Sequence, residues 1–123
     1  MYLTKAVESL EGAASEYLAR RYNNCANRCY YSVFQAAVAA LQYAGIAARV
    51  GEWGHDFVPG QFDGQLIYRR KLYPPELRGT LGRLYGLRET ADYKDSAVSR
   101  TEADRALRRA RSFVATIQRS EQQ

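Results

Sequence analysis

The sequence predicts an all-α protein, an up-and-down bundle of four long helices and one short helix. Apolar residues recur every three or four positions over most of the chain, which is the spacing of an amphipathic helix. No segment shows the alternation that is typical of a strand. The 123 residues, 46% hydrophobic and 25% charged, suit one compact domain. We therefore expect a single helical domain over residues 1–123.

The first two helices are predicted from apolar periodicity and its interruption. Helix one runs from about Leu3 to Arg20, and Tyr22-Asn23-Asn24 breaks its pattern. Asparagine suits both the end of one helix and the start of the next, so a tight helical hairpin is expected. Helix two then runs from about Asn24 to Ala44. Its apolar residues point in nearly every direction, which predicts that other helices surround it.

The remaining elements are predicted from glycine and proline residues, which interrupt or end helices. Gly45 ends helix two, and residues 45–60 show no period, so they form a long loop that is either functional or mobile. A short helix three is expected from Gln61 to Leu72. Pro74-Pro75-Glu76 is typical of a helix start and predicts helix four. Ser99-Arg100-Thr101-Glu102 has the spacing of a capping box and opens helix five.

Several function classes are excluded by what the sequence lacks. The most apolar stretch, Tyr30 to Leu41, is shorter than the roughly 20 residues that cross a bilayer, and the first residues do not resemble a signal peptide. We expect a cytoplasmic protein with no membrane association. Cys25 and Cys29 lie four apart on helix two and are expected to be reduced core thiols. With one histidine, His55, no metal site is expected, and no cofactor motif is present.

Positive charge is concentrated in the second half of the chain. Residues 1–64 hold five Lys/Arg and six Asp/Glu, whereas residues 65–123 hold thirteen and seven, so the net charges are −1 and +6. Fifteen of the eighteen cations are arginine, whose planar fork suits phosphates and carboxylates. Either a negatively charged partner or codon composition explains this usage.

Two features of helix four conflict with a simple amphipathic pattern. Arg88 falls in the middle of the apolar stripe, where a guanidinium is costly unless it is paired, and Asp92 lies one turn on. The pair is either structural or part of a ligand site. Gly79, Gly82 and Gly86 lie on one face that Tyr93 continues, and this face serves either tight packing against helix three or five, or approach of a ligand.

Three segments resemble the HEPN domain family. They are Asn27 to Ala37 (NRCYYSVFQAA), Gly54-His55, and Arg88 to Tyr93 (RETADY), followed by an Ala-rich final helix with Phe113. The resemblance is to the small stand-alone branch with a Tyr-Tyr pair in helix two and Arg-x-x-Ala-Asp-Tyr in helix four, and it covers nearly the whole chain.

The resemblance implies a helical bundle that pairs as a homodimer. In catalytic members it implies metal-independent RNA cleavage by an Arg and a His separated by four to six residues. Arg88 matches the family arginine, but Tyr93 stands where the histidine is expected. The resemblance gives Arg88 and Tyr93 as candidate catalytic residues, and as ligand-binding residues it gives Arg88, Asp92, Tyr93, Arg28, Tyr31 and His55.

Helix geometry places a condition on this site. Five residues turn through about 500°, so Arg88 and Tyr93 should point roughly 140° apart and not face one small target from one straight helix. A kink or a second copy of the helix is then required, and a two-fold dimer supplies the second copy.

Three functions remain open. The first is an RNA- or nucleotide-binding module, which could act as the toxin-like component of a toxin–antitoxin pair whose partner is a minimal nucleotidyltransferase. The second is a metal-independent ribonuclease that uses Tyr93 or His55 as a non-standard base, although a lone loop histidine is also commonly a packing residue. The third is a non-catalytic dimeric scaffold for a protein partner.

Overall fold

The computed structural model describes residues 1–122, and these form the predicted all-α bundle. A short helix, α3, continues directly as a π-helix, and a single 3-10 turn precedes α4. Within residues 1–122 there is no strand, only an isolated bridge between Arg49 and Glu52. The elements are α1 (Tyr2–Leu18), α2 (Tyr22–Tyr43), α3 (Val58–Gln61), the π-helix (Phe62–Arg69), the 3-10 turn (Pro75–Leu77), α4 (Thr80–Tyr93) and α5 (Arg100–Glu121).

Helix α2 is the centre of the molecule, as its apolar pattern predicts. It packs against α1, α4 and α5 and buries thirteen residues between Cys25 and Leu41. Many of these residues are alanines, which let three helices approach one axis closely. Cys25 and Cys29 are buried and free, with their sulfurs 4.0 Å apart, so the prediction of reduced core thiols is confirmed.

The connection between α1 and α2 differs from the prediction. The chain turns at residues 19–21, where Arg20 takes a left-handed conformation (φ 63°), and Tyr22-Asn23-Asn24 already belongs to α2. Asn23 is therefore not a cap between helices. Its side-chain oxygen accepts a hydrogen bond from the backbone N–H of Val98 at 2.9 Å, which ties the start of α2 to the segment before α5.

The prediction that Pro74-Pro75-Glu76 starts helix four was wrong. Those prolines lead into a 3-10 turn only, and α4 begins after Gly79, which has a left-handed backbone (φ 77°) that side-chain-bearing residues rarely adopt. Gly79 is thus a cap and not part of a helical glycine face. Gly82 and Gly86 do lie on α4, but nothing in residues 1–122 would come within 4 Å of a Cβ at either position. The expected packing of this face against helix three or five is therefore wrong.

Helix α5 starts as predicted. The Ser99 hydroxyl accepts from the Glu102 N–H at 3.1 Å, and the Glu102 carboxylate accepts from the Ser99 N–H at 3.0 Å. Caps of this kind stabilise a helix by about 1 kcal/mol. One face of α5, centred on Phe113, packs against α1 and α2. None of the helices in residues 1–122 combines the length and the apolar character that a membrane span requires.

Candidate functional site

Arg88 lies inside a cage of four tyrosine rings. Its side chain enters from α4, and only 8% of the residue is exposed. The guanidinium carbon is 5.2 Å from the ring centroid of Tyr85, 5.3 Å from Tyr30, 5.8 Å from Tyr31 and 5.9 Å from Tyr93. Each ring face attracts a cation, so the cage stabilises a charge that the apolar stripe of α4 alone would disfavour.

The polar partners of Arg88 are few for a buried guanidinium. One terminal nitrogen donates to Asp92 at 3.5 Å, which is the limit of a hydrogen bond. That same carboxylate oxygen accepts a shorter bond, 3.0 Å, from the side-chain amide of Asn27. The Nε atom of Arg88 is buried, and nothing in the described chain accepts its hydrogen. The predicted Arg88–Asp92 pair exists, yet it leaves the guanidinium short of acceptors.

Arg88 nevertheless stays protonated and positively charged. Burial acts to lower the pKa of Arg88, but Tyr31, Tyr93 and Asp92 together raise that pKa above its ordinary value. The site therefore holds a permanent cation whose Nε hydrogen has no acceptor within residues 1–122.

His55 is held next to this cation by Tyr30. The hydroxyl of Tyr30 forms a short hydrogen bond with Nδ1 of His55. Tyr30 is fully buried, and burial raises the pKa of its phenol, so its oxygen keeps the proton. A donor role of His55 Nδ1 would leave that phenol proton without an acceptor among residues 1–122. We therefore assign Nδ1 as the acceptor and Nε2 as the nitrogen that carries the hydrogen.

The imidazole of His55 is neutral near pH 7. Burial, and next the positive charge of Arg88, lower the pKa of His55 below its ordinary value. Its ring packs against Phe34 with centroids 4.8 Å apart and against Tyr85 at 6.1 Å. The long loop before α3 thus has a definite role, because it delivers His55 to the aromatic face shared by α2 and α4.

Arg28 places a second cation at the edge of the cage. Its guanidinium carbon lies 5.1 Å from the ring centroid of Tyr31. It also donates to the side-chain oxygen of Asn27 at 2.8 and 3.0 Å. Asn27 therefore links Arg28 to Asp92, and Tyr31 lies between the two guanidinium groups.

A cavity of about 460 Å³ adjoins the cage and shares Tyr85 with it. It lies between α4 and the loop that carries His55. Its lining consists of His55, Asp56, Pro59, Leu81, Gly82 and Tyr85.

Comparison with known families agrees with the resemblance in the sequence. The family model described as the HEPN domain matches residues 1–120. The chain belongs to the HEPN domain family. None of the curated proteins compared with it matches. In this HEPN domain the arginine expected from the resemblance is Arg88, at the centre of the tyrosine cage, and no histidine follows His55 in the sequence.

The six candidate site residues lie in one cluster of the HEPN domain. Arg88 contacts Tyr31, Tyr93 and Asp92 directly. The other two residues, Arg28 and His55, both lie next to the ring of Tyr31. The expectation that Arg88 and Tyr93 cannot converge was wrong. Tyr93 is the last residue of α4. The side chains of Arg88 and Tyr93 are long enough to meet although their Cα–Cβ bonds point in different directions.

Three residues of the cluster were not predicted as site residues. They are Tyr30, Tyr85 and Asn27. Tyr85 had a usable signal, since it lies three residues before Arg88 and so shares its helix face. Tyr30 was marked only as part of the Tyr-Tyr pair of the family resemblance, and its contact with His55 could not be predicted because the two residues are 25 positions apart.

The arrangement supplies donors more readily than it supplies a base. Arg88 and the Nε2–H of His55 are donors, and the Nδ1 lone pair of His55 is occupied by Tyr30. Such a site is suited to binding an anion with a neighbouring aromatic group.

Proposed function

We propose that this HEPN domain binds RNA or a nucleotide through a phosphate group held by Arg88. The observation that carries the proposal is the state of the Arg88 guanidinium. Only 8% of Arg88 is exposed, and its Nε hydrogen has no acceptor in the part of the chain described. Its carboxylate partner, Asp92, is 3.5 Å away. Phosphate oxygens are the acceptors that an arginine fork fits best, and the bond is charge-assisted.

The surroundings of Arg88 favour a nucleic acid over a small inorganic anion. Tyr93 is 71% exposed beside the guanidinium, and an exposed phenol ring is a stacking surface for a base. Arg28 adds a second cation within the same cluster. The net charge of +6 over residues 65–123 favours approach of a polyanion.

We further propose that the domain acts as a homodimer. Gly86 and Tyr93 form an exposed face of α4 that nothing in residues 1–122 covers. A two-fold contact through this face would bring two copies of the Arg88 site together and form one composite cleft.

Binding without cleavage is the version that we favour. The phenol of Tyr93 replaces the histidine that the family resemblance leads one to expect, and a phenol is a poor base near neutral pH. A metal-independent ribonuclease is the second candidate. It is supported by the neutral imidazole of His55 next to Arg88, although Tyr30 must first release Nδ1.

The cellular role rests on the family resemblance alone. A toxin-like component paired with a minimal nucleotidyltransferase, in the cytoplasm, is consistent with a small basic RNA-binding domain. A non-catalytic scaffold for a protein partner is the alternative, and it predicts no dependence of RNA binding on Arg88.

The test is a pair of matched double substitutions. Arg88→Met with Asp92→Leu removes both charges at the site, whereas Arg108→Met with Asp104→Leu removes another i, i+4 pair (3.1 Å) on the solvent side of α5. RNA affinity at constant salt should fall at least about tenfold in the first variant. The second should leave RNA affinity nearly unchanged, because it removes one cation and one anion away from the site.

Thermal unfolding of both variants shows whether they fold. Apolar replacement of a buried ion pair is commonly neutral or stabilising, so the site variant should remain folded. Equal RNA affinity in a folded Arg88/Asp92 variant and the natural protein would refute the proposal. Incubating labelled RNA with and without a chelator separates binding from metal-independent cleavage.

A further inference from the structure

The cavity beside the cage has the features of a base-binding site. Its volume is about 460 Å³, and it opens between one face of α4 and the loop that carries His55. Tyr85 forms one wall and is 37% exposed, so part of its ring is available to a ligand. Gly82 lies one turn earlier on the same face and has no side chain to cover the helix backbone. The space beside it is open, since nothing in residues 1–122 lies within 4 Å of where its Cβ would be. A flat ring can therefore lie along Tyr85 and against α4.

Two polar groups line this cavity, and they differ in hydrogen-bonding character. His55 presents Nε2–H as a donor, since Tyr30 occupies Nδ1. Asp56 presents a carboxylate, which only accepts. One oxygen of Asp56 also accepts from Arg49 at 3.2 Å, in an ion pair that leaves 80% of the Asp56 side chain exposed.

His55 and Asp56 are neighbours on the loop before α3, and both line the cavity. A Cβ at residue 54 would lie 2.7 Å from the other carboxylate oxygen of Asp56, so Gly54 leaves room for that oxygen. The loop therefore contributes one donor residue and one acceptor residue to the lining.

We propose that this cavity binds a guanine base. Guanine carries an acceptor, O6, next to two donors, N1–H and the N2 amino group, and the two donors match the two oxygens of one carboxylate. His55 Nε2–H would donate to O6, and Asp56 would accept from N1 and N2. Adenine, cytosine and uracil each offer one donor beside an acceptor and so make one bond fewer to the same pair of residues.

The base site and the phosphate site are continuous. Tyr85 forms a wall of the cavity and is also one ring of the Arg88 cage, with its centroid 5.2 Å from the guanidinium carbon. Residues 85 and 88 are less than one helical turn apart. A guanine nucleotide with its base on Tyr85 would thus place its phosphate toward Arg88, and this half of the inference rests on the function proposed above.

The experiment is a comparison of four ribonucleoside 5′-monophosphates, GMP, AMP, CMP and UMP, at constant low salt. The single tryptophan, Trp53, lies on the same loop and packs against Phe57, so its fluorescence reports binding near His55. Calorimetry provides an independent measure. We expect GMP to bind about tenfold more tightly than the other three, which is the range for one well-placed pair of base contacts.

Substitutions in the cavity locate the effect. Asp56→Asn should remove the preference for GMP, because an amide presents a donor where guanine also presents one, while affinity for RNA falls little. Gly82→Val should place its side chain where the base would lie against α4 and so weaken GMP binding at least about tenfold. Gly64→Val is the control, since Gly64 also has open surroundings within residues 1–122 and lies outside the cavity.

Four outcomes would overturn the inference. Equal binding of the four nucleotides, or a preference for another base, excludes guanine recognition but leaves the phosphate site standing if Arg88 still matters for RNA. Equal weakening by Gly82→Val and Gly64→Val shows that the cavity is not the site. Failure of both RNA and all four nucleotides to bind removes the proposed function together with this inference.

Discussion

Removing the hydroxyl of Tyr30 isolates the contact that sets the protonation of His55. In Tyr30→Phe the ring remains, so its packing against Tyr31 and Phe34, with centroids 5.2 and 5.9 Å away, is kept. What is lost is the O–H that donates to Nδ1 of His55. An intramolecular hydrogen bond contributes about 1 kcal/mol net to stability, so the free energy of unfolding at pH 7 should fall by about that amount.

The same loss should change the pKa of His55. Protonated His55 has hydrogens on both nitrogens and cannot accept from Tyr30, so the bond stabilises only the neutral form. Because this bond is lost when His55 is protonated, it disfavours the charged form of the imidazole. The pKa of His55 should therefore rise in Tyr30→Phe, while burial and Arg88 continue to lower it.

Nuclear magnetic resonance measures this directly, since the chain has one histidine. A titration of the imidazole carbon-bound protons gives the pKa, and ¹⁵N shifts show which nitrogen carries the hydrogen. Tyr31→Phe is the control, because the Tyr31 ring also faces His55 (6.3 Å) but the described structure shows no hydrogen bond between them. An unchanged or lower pKa in Tyr30→Phe, or a hydrogen on Nδ1 in the natural protein, would refute the assignment.

The lowered pKa of His55 also predicts how stability depends on pH. An unfolded chain binds a proton at histidine with a pKa of about 6.5, whereas the folded chain binds it only at lower pH. The unfolded state therefore binds more protons in this window, and stability falls as the pH drops below about 7. Urea unfolding between pH 7.5 and 5.5 should show the decline, and Tyr30→Phe should reduce it. A rise in stability on acidification over this range would contradict the sign.

Three predictions concern Tyr93 and the assembly. The natural protein should cleave RNA weakly or not at all, and Tyr93→His should introduce metal-independent cleavage with an apparent pKa below about 6.5 because Arg88 is adjacent. Chelator-resistant cleavage by the natural protein that survives Tyr93→Phe would contradict this account of Tyr93. Light scattering at micromolar concentration should give twice the chain mass of 14.0 kDa, and a single-chain mass would exclude the dimer. Gly86→Arg, on the exposed face of α4, should shift the dimer toward monomer if that face is the contact, while Arg119→Glu on α5 should not.

Local signals were sufficient for the framework of the fold. The period of apolar residues determined the four long helices, and the all-round apolar character of α2 predicted its central place. The Ser99 capping box located the start of α5, because both of its hydrogen bonds join residues three apart. The signal at Pro74-Pro75-Glu76 was ambiguous, because it predicted a helix start and the structure has only one 3-10 turn there. Helix α4 begins after Gly79, which has a left-handed backbone.

The candidate site, like the fold, was determined partly by local sequence and partly by tertiary packing. The sequence by itself marked Arg88 as a charge in an apolar stripe, paired it with Asp92, and left His55 as the one loop histidine. Only the tertiary structure decided that four tyrosines enclose Arg88, that burial next to Arg88 keeps His55 neutral, and that Tyr30 occupies its Nδ1. Periodicity reports which face of a helix is buried, since burial depends on neighbours three and four residues away. It carries no information on which side chains from separate elements meet in that interior, because those contacts depend on how the packed helices and the loop are placed around α2.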